Sequence, residues 1–190
     1  MVYTPREDSY LLKRFVSTLD LEGTRVLDMG TGTGIIALEM ARQGANVTAA
    51  DINPGALQMA KKNAESENLE NIEFVETDLF EDIEQSFNLI TFNPPYLPKK
   101  QGQETTEKEW YGGETGSEIT SKFIQNTQPY LEQNGAYLTI TSNKAQKNLK
   151  NHKNTQTIQK KKIFYETLYL ISNQTTKHFK ENQYKNITKS

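Results

Sequence analysis

The chain has 190 residues, 22 Lys and Arg against 24 Asp and Glu, and no cysteine; this suits one domain with a sizeable core and excludes a disulfide framework or a thiolate-held metal, so no metal site is expected. No apolar run approaches the roughly 20 residues needed to cross a bilayer, and Met1 opens onto polar sequence, which points to a soluble cytoplasmic protein without a membrane partner. The net charge of −2 hides an imbalance: residues 1–98 sum to −9 and residues 99–190 to +7, a basic half that suits either an acidic partner such as RNA or a merely solvated face.

Thr4-Pro5-Arg6-Glu7 predicts a helix start, with Thr4 capping, Pro5 in the first helical position and Glu7 closing a capping box; Leu11, Leu12, Phe15, Val16 and Leu19 then recur at helical spacing. Residues 25–29 form a short strand feeding Gly30, Gly32 and Gly34, and a helix follows over about 35–43 with Gly44 as its stop. The next strand, 46–50, ends at Asp51, and Asn53-Pro54 caps and opens a helix reaching about residue 67. Strands are expected at 72–75 and 87–92. Residues 94–116 make a long connection rich in Pro and Gly that carries Trp110 and Tyr111. Ser117 caps a helix turning Ile119, Phe123, Ile124 and Leu131 inward, Asn134-Gly135 marks a turn, and 136–141 is a strand. A basic helix near 144–150 and strands around 155–164 and 166–171 complete a domain of residues 1–171. Residues 172–190 are polar and expected to form a frayed or disordered tail.

Strands alternating with helices imply an α/β, doubly wound, mostly parallel, Rossmann-like sheet. Ligands of such sheets sit beyond the carboxyl ends of the strands, and the glycine turn, Asp51, Asp78 and Asn93 each follow a strand. The turn Asp28-Met29-Gly30-Thr31-Gly32-Thr33-Gly34 lets a ligand approach the backbone closely, or is simply a tight strand-to-helix turn. Its continuation to Ala37 also fits a dinucleotide-binding pattern. Asp51 can accept two ribose hydroxyls, which serves adenosine in several cofactors, or can cap the helix beside it. Asp78 can accept an adenine amino proton while Leu79 and Phe80 cover the ring, or can cap a turn.

Asn93-Pro94-Pro95-Tyr96 decides between these readings. Two prolines fix the backbone and remove two N–H donors, which leaves acceptors: the Asn93 side-chain oxygen and the Pro94 carbonyl. Together they can hold both protons of an –NH₂ group on a planar amide or aromatic amine. Such a nitrogen is a poor nucleophile because its lone pair is delocalised; acceptors on its protons support charge building up as it attacks a methyl group, and Tyr96 can stack on its flat face. Orientation and preorganised electrostatics suffice, with no metal and no nucleophilic residue. The plain alternative is a rigid turn.

Asp28-x-Gly30-x-Gly32-x-Gly34, Asp51, Asp78 and Asn93-Pro94-Pro95-Tyr96 together resemble class I methyltransferases of the HemK-related glutamine branch. The opening Pro5-Arg6-Glu7-Asp8-Ser9-Tyr10-Leu11-Leu12 and the loop Trp110-Tyr111-Gly112-Gly113-Glu114-Thr115-Gly116 are similar to the archaeal and eukaryotic release-factor glutamine methyltransferases. Bacterial relatives carry an extra helical domain for which this chain has no room, which favours the short subgroup. The resemblance covers roughly residues 3–143. It implies a seven-stranded sheet with an antiparallel last strand, and S-adenosylmethionine touched by Asp8, Ser9, Asp28, Gly30, Gly32, Gly34, Asp51, Asp78 and Leu79. It assigns Asn93, Pro94 and Tyr96 to catalysis, and these together with Pro95 and Trp110 to substrate binding. The implied substrate is the glutamine of the Gly-Gly-Gln loop of a class I translation release factor. The implied partner is a small zinc-binding activator pairing with Ile72-Glu73-Phe74-Val75. Competing readings are an adenine N6-methyltransferase acting on nucleic acid, methylation of another protein side chain, a dinucleotide-dependent oxidoreductase, which has no use for Asn-Pro-Pro-Tyr, and a non-catalytic binding module.

Overall fold

The computed structural model describes residues 2, 4–98, 111–149, 155–163, 166–174 and 178–179; Trp110 lies outside them. In chain order the elements are α1 (Glu7–Val16), β1 (Arg25–Met29), α2 (Ile35–Arg42), β2 (Asn46–Asp51), α3 (Pro54–Ser66), β3 (Ile72–Glu76), β4 (Phe87–Phe92), α4 (Glu118–Asn126), β5 (Leu131–Ser142), α5 (Gln146–Leu149), β6 (Gln156–Ile163) and β7 (Glu166–Ser172). The strands form one seven-stranded sheet in the order β3-β2-β1-β4-β5-β7-β6. Five strands run parallel, β7 is antiparallel to β5, and β6 is antiparallel to β7. The expected doubly wound sheet with an antiparallel strand at its far end is therefore present.

The central strands are mostly apolar and buried because both faces are covered. Val26 and Leu89 face a cluster with Leu11, Leu12 and Val16 of α1 and Ile36, Ala37 and Met40 of α2. Leu27, Met29, Ile90 and Phe92 alternate to the other face, where Phe80, Phe123 and Tyr137 pack. Phe80 stacks on Tyr130 with ring centroids 4.5 Å apart, and Phe123 lies 4.9 Å from Phe92. Strand order reverses between β1 and β4, which opens a crevice beyond Met29 and Phe92.

Several local expectations shift. Asn53 caps α3 as read, its side chain accepting the Gly55 N–H at 2.9 Å with Pro54 in the first position. Helix α1, however, starts at Glu7 with Arg6 as an extended N-cap that makes no side-chain cap bond, so the Thr4 capping box does not form. Glu7 pairs with Lys161 of β6 instead. Helix α4 stops at Asn126 ahead of a single 3-10 turn at Gln128–Tyr130 containing Pro129, which places Leu131 at the start of β5. Asn134 does take a left-handed φ of 68°, but within β5: the step from Phe87 to Leu89 in β4 is matched by Leu131 to Ala136, a bulge in the sheet rather than a hairpin turn.

The domain boundary drawn at residue 171 is too early. Ser172 is buried in β7, and Asn173 Oδ1 accepts the Tyr137 N–H at 2.9 Å, extending the grip on β5. Phe179 is 7% exposed and meets the Phe15 ring edge-on at 5.3 Å. An aromatic ring outweighs the polar composition around it. Phe179→Ala is expected to cost about 3 kcal/mol, the lower end for removing a buried Phe, read as a fall in melting temperature; an unchanged melting temperature on truncation near residue 171 would show the contact to be idle.

Candidate active site

At the crevice lies a cavity of about 1140 Å³, bordered by Asp8, Ser9, Gly30, Gly32, Asp51, Asp78, Leu79, Asn93, Pro94, Pro95 and Tyr96. That volume exceeds the roughly 300–1,000 Å³ of most small-molecule sites and leaves room for a nucleoside cofactor and a second group beside it. The sequence-derived residues thus converge from α1, the glycine turn, the ends of β2 and β3, and the end of β4.

Asp28 is 2% exposed, and both its oxygens are engaged within the chain. Oδ2 accepts the Thr31 hydroxyl at 2.8 Å and the Ala37 N–H at 3.1 Å; Oδ1 accepts the Thr91 hydroxyl at 2.8 Å. The carboxyl fastens the glycine turn to the start of α2 and to β4. Burial pushes its pKa up to about 6, opposed by the Thr31, Thr91 and Ala37 donors and assisted slightly by the Asp51 charge. Its folded pKa therefore lies above its ordinary value, so the folded state binds the proton more tightly, and this residue's contribution to stability falls as pH rises from about 4 to 6. Asp28→Asn keeps the shape without the charge. The stability of the native chain relative to that variant is expected to improve by about 2 kcal/mol between about pH 7.5 and 4.5, measured by denaturant unfolding at both values. A constant difference would contradict the assignment.

Asp51 is oriented by two backbone donors, the Gly32 N–H on Oδ2 and the Asn53 N–H on Oδ1, each at 2.9 Å. Each oxygen keeps a lone pair beyond those bonds. Gly32 adopts φ +55°, and a Cβ built there has no neighbour nearer than the Gly30 carbonyl at 4.0 Å. It would stand in the open cavity. Leu79 holds a left-handed φ of 53°, a strained conformation for a leucine. Asp78 is exposed at the mouth, with Lys122 at 3.9 Å, a contact that adds little in water. Lys122, Lys144 and the 65% exposed Ile52 also border the cavity and were not anticipated. Ile52 carried a signal, an apolar residue between Asp51 and a capping Asn53; the lysines carried none.

The Asn93-Pro94-Pro95-Tyr96 segment is held from two sides. From α1, the Tyr96 hydroxyl donates to Asp8 Oδ2 at 2.9 Å, and Asn93 Nδ2 donates to Ser9 Oγ at 3.2 Å. From the other side, the Gly112 N–H donates to the Leu97 carbonyl at 3.0 Å. A Cβ on Gly112 would meet the Pro95 carbonyl at 2.3 Å, and one on Gly116 would meet the Tyr96 carbonyl at 2.4 Å. These glycines let the chain's own backbone approach, not a substrate's. Asn93 Oδ1 is buried and has no hydrogen-bond partner among the described residues. A buried amide oxygen without a donor is a costly vacancy. It is the same oxygen that the sequence pattern offers as an acceptor for an –NH₂ proton.

The strand order β3-β2-β1-β4-β5-β7-β6 with β7 antiparallel, beside a glycine turn ending β1 and an acidic residue ending β2, is the class I methyltransferase architecture. The chain belongs to the methyltransferase small domain family, whose model matches residues 9–167. Its cofactor is accordingly S-adenosylmethionine. A protein of Methanocaldococcus jannaschii with the provisional name protein N5-glutamine methyltransferase is 39% identical over 145 residues, 74% of this chain and 72% of that one. The release factor glutamine methyltransferase of Streptococcus pneumoniae is 34% identical over 151 residues, 73% of this chain but 54% of that one. The chain thus spans about half the length of that bacterial relative. Among solved structures, the E. cuniculi Mtq2–Trm112 complex, responsible for methylation of the eRF1 translation termination factor, has a chain that matches with TM-score 0.70 and 26% identity, covering 92% of this chain and 98% of that one. A Thermus thermophilus rRNA guanine methyltransferase (TM-score 0.68, 18% identity, 90% of this chain, 44% of that one) shares the fold. No helix among the described residues is long and apolar enough to cross a membrane.

Proposed function

We propose that this chain methylates the side-chain amide nitrogen of a glutamine, in the Gly-Gly-Gln loop of a class I translation release factor. The observation that carries the reading is the buried, unpartnered Asn93 Oδ1 beside the Pro94 carbonyl. Two acceptors on a proline-fixed backbone match the two N–H donors of a primary amide. The cofactor fits the residues present: Asp51 has lone pairs for ribose hydroxyls, Asp78 and Leu79 stand at the adenine end, and the space in front of Gly32 is what a ligand's backbone contact requires. Bound there, S-adenosylmethionine supplies a methyl group on a positively charged sulfur.

The chain's own residues do the rest. Asn93 and Pro94 grip the amide protons, which fixes the nitrogen's orientation and stabilises positive charge growing on it. The Tyr96 ring, anchored through its hydroxyl, forms a wall on which a flat amide can lie. Both prolines remove donors that would otherwise compete for the substrate's carbonyl and rotate it. The surplus proton leaves the nitrogen once its acidity has risen, so a general base need not stand at the site.

The name of the Methanocaldococcus relative supports a protein glutamine as acceptor, those of the Streptococcus and E. cuniculi proteins support a release factor as its carrier, and the E. cuniculi complex supports a small partner. We place a zinc-binding activator on β3, an edge strand with Ile72, Phe74 and Val75 half-buried, which suits strand addition. The enzyme would work in the cytoplasm, where translation ends. The test is to incubate enzyme, activator and labelled cofactor with the release factor, with its Gln-to-Asn variant and with adenine-containing DNA. Label on the wild-type factor alone supports the reading; label on DNA with the factor untouched overturns it.

A further inference from the structure

Asp8 and Ser9 lie on the first turn of α1, are each 3% exposed, and touch the methyl-acceptor segment more than 80 residues further along. The resemblance assigns them to the cofactor. Their hydrogen bonds within the chain run to the acceptor segment. Asp8 Oδ1 accepts the Ser9 N–H at 2.6 Å and the Ser9 hydroxyl at 3.3 Å; Asp8 Oδ2 accepts the Tyr96 hydroxyl at 2.9 Å; Ser9 Oγ accepts Asn93 Nδ2 at 3.2 Å.

These bonds have a direction. A carboxylate only accepts, so the single Ser9 hydroxyl proton is drawn to Asp8 and the Ser9 oxygen is left as an acceptor. An acceptor at that place can be met only by the amide nitrogen of Asn93. With the Asn93 amide reversed, two buried oxygens would compete for one proton, and the –NH₂ group would take the place of the unpartnered acceptor. The polarity of Asp8 is therefore passed through Ser9 to Asn93 and decides that Oδ1, not Nδ2, is presented. The same carboxylate fixes Tyr96 through its hydroxyl, so one anchor sets both the acceptor and the wall of the clamp.

We propose that Asp8 and Ser9 are positioning residues: a directional hydrogen-bond relay that holds the Asn93 amide with Nδ2 on Ser9 and Oδ1 left as the unpartnered acceptor, and ties the Tyr96 ring in place, making the site selective for an acceptor nitrogen that still bears protons. This deepens the proposed amide methylation and rests on it for the consequence in turnover, while the orientation of Asn93 stands on its own.

The experiment separates the two. Asn side-chain ¹⁵N spectra of the chain bound to S-adenosylmethionine require no substrate; the Asn93 –NH₂ pair is identified by its loss in Asn93→Ala. In Ser9→Ala and Asp8→Asn that pair is expected to shift and its proton exchange to quicken. With the release factor as acceptor, both variants are expected to lose roughly ten- to a hundredfold in kcat at saturating cofactor, the scale of misplacing a reacting group, while the Kd for S-adenosylmethionine stays within about twofold and the melting temperature within a few degrees. Ser9→Thr, which keeps the hydroxyl, is expected to restore the Asn93 signal. A loss confined to cofactor Kd, with kcat intact, would return both residues to the cofactor and overturn the relay. So would an Asn93 signal indifferent to Ser9 and Asp8. If the native enzyme left the factor unlabelled while the Asn93 signal responded as expected, the substrate reading would fail and the relay would stand.

Discussion

Asn93→Ala is expected to lower methyl transfer by about 10²–10³-fold, the range for removing one preorganised group that meets charge in a transition state, while the Kd for S-adenosylmethionine stays within about twofold. The split follows from position. Asn93 bonds to Ser9 through Nδ2 and keeps a buried, unpartnered Oδ1; the hydrogen bonds of Asp51 run to Gly32 and Asn53, not to Asn93. Folding should tolerate the change, because the lost partner is a serine hydroxyl that keeps Asp8. Removing a buried oxygen that lacks a donor even relieves a desolvation cost. Turnover with labelled cofactor and calorimetry of its binding check the two halves separately. Normal turnover would end the amide-clamp reading; a large loss of cofactor affinity would move Asn93 to the nucleoside end of the site. Tyr96→Phe belongs with it. From the sequence the ring alone mattered, so Phe was expected to be mild. The hydroxyl's bond to Asp8 makes the loss of that oxygen consequential, because the ring is then free to turn.

How much of this was legible in the sequence depends on how local each signal was. Asn53-Pro54 fixes the start of α3 from two adjacent residues, and both do what their chemistry requires. The strands are readable because central strands of a doubly wound sheet, covered on both faces, are short and mostly apolar. The start of α1 is not, because it answers to distant residues. Glu7 turns to Lys161, and Asp8 and Ser9 turn to Tyr96 and Asn93, so the helix opens where those contacts place it and not where Thr4 and Pro5 would cap it. Asn134-Gly135 reads as a turn, but whether such a pair makes a turn between elements or a bulge within one is settled by the neighbouring strand, here β4. What approaches Gly112 and Gly116 is the Pro95–Leu97 backbone, a pairing across a long connection that no spacing encodes. Phe179 was lost in a polar tail because a single aromatic leaves no periodicity, yet it fills a place beside Phe15. The site residues were legible as a set because the sheet topology gathers whatever follows its strands at one edge. Their division of labour was not: Asp28 binds the turn rather than open space, and the anchor of the clamp sits on a helix that precedes the whole sheet.

Gly32→Ala and Gly34→Ala are expected to fail in opposite ways. Both glycines hold positive φ, +55° and +82°, so either substitution carries the cost of a left-handed alanine, about 1–2 kcal/mol. Beyond that they diverge. At Gly34 a Cβ would lie 2.6 Å from Leu38 Cδ1 and 3.1 Å from Ala60 Cβ, where α2 and α3 meet. Overpacking of that kind adds about 1–3 kcal/mol, so Gly34→Ala should lower the melting temperature markedly, while molecules that remain folded still bind cofactor. At Gly32 the new methyl meets no protein atom within contact distance and points into the cavity beside Asp51. Stability should suffer only the conformational cost. Cofactor affinity should fall about 10–200-fold, the range for one misplaced methylene in a fitted pocket. Thermal unfolding without ligand ranks the two variants in one order, and calorimetry with S-adenosylmethionine ranks them in the other. If Gly32→Ala bound the cofactor as tightly as the native chain, the space in front of that turn would not be the cofactor's, and the assignment of Asp51 to its ribose would fall with it.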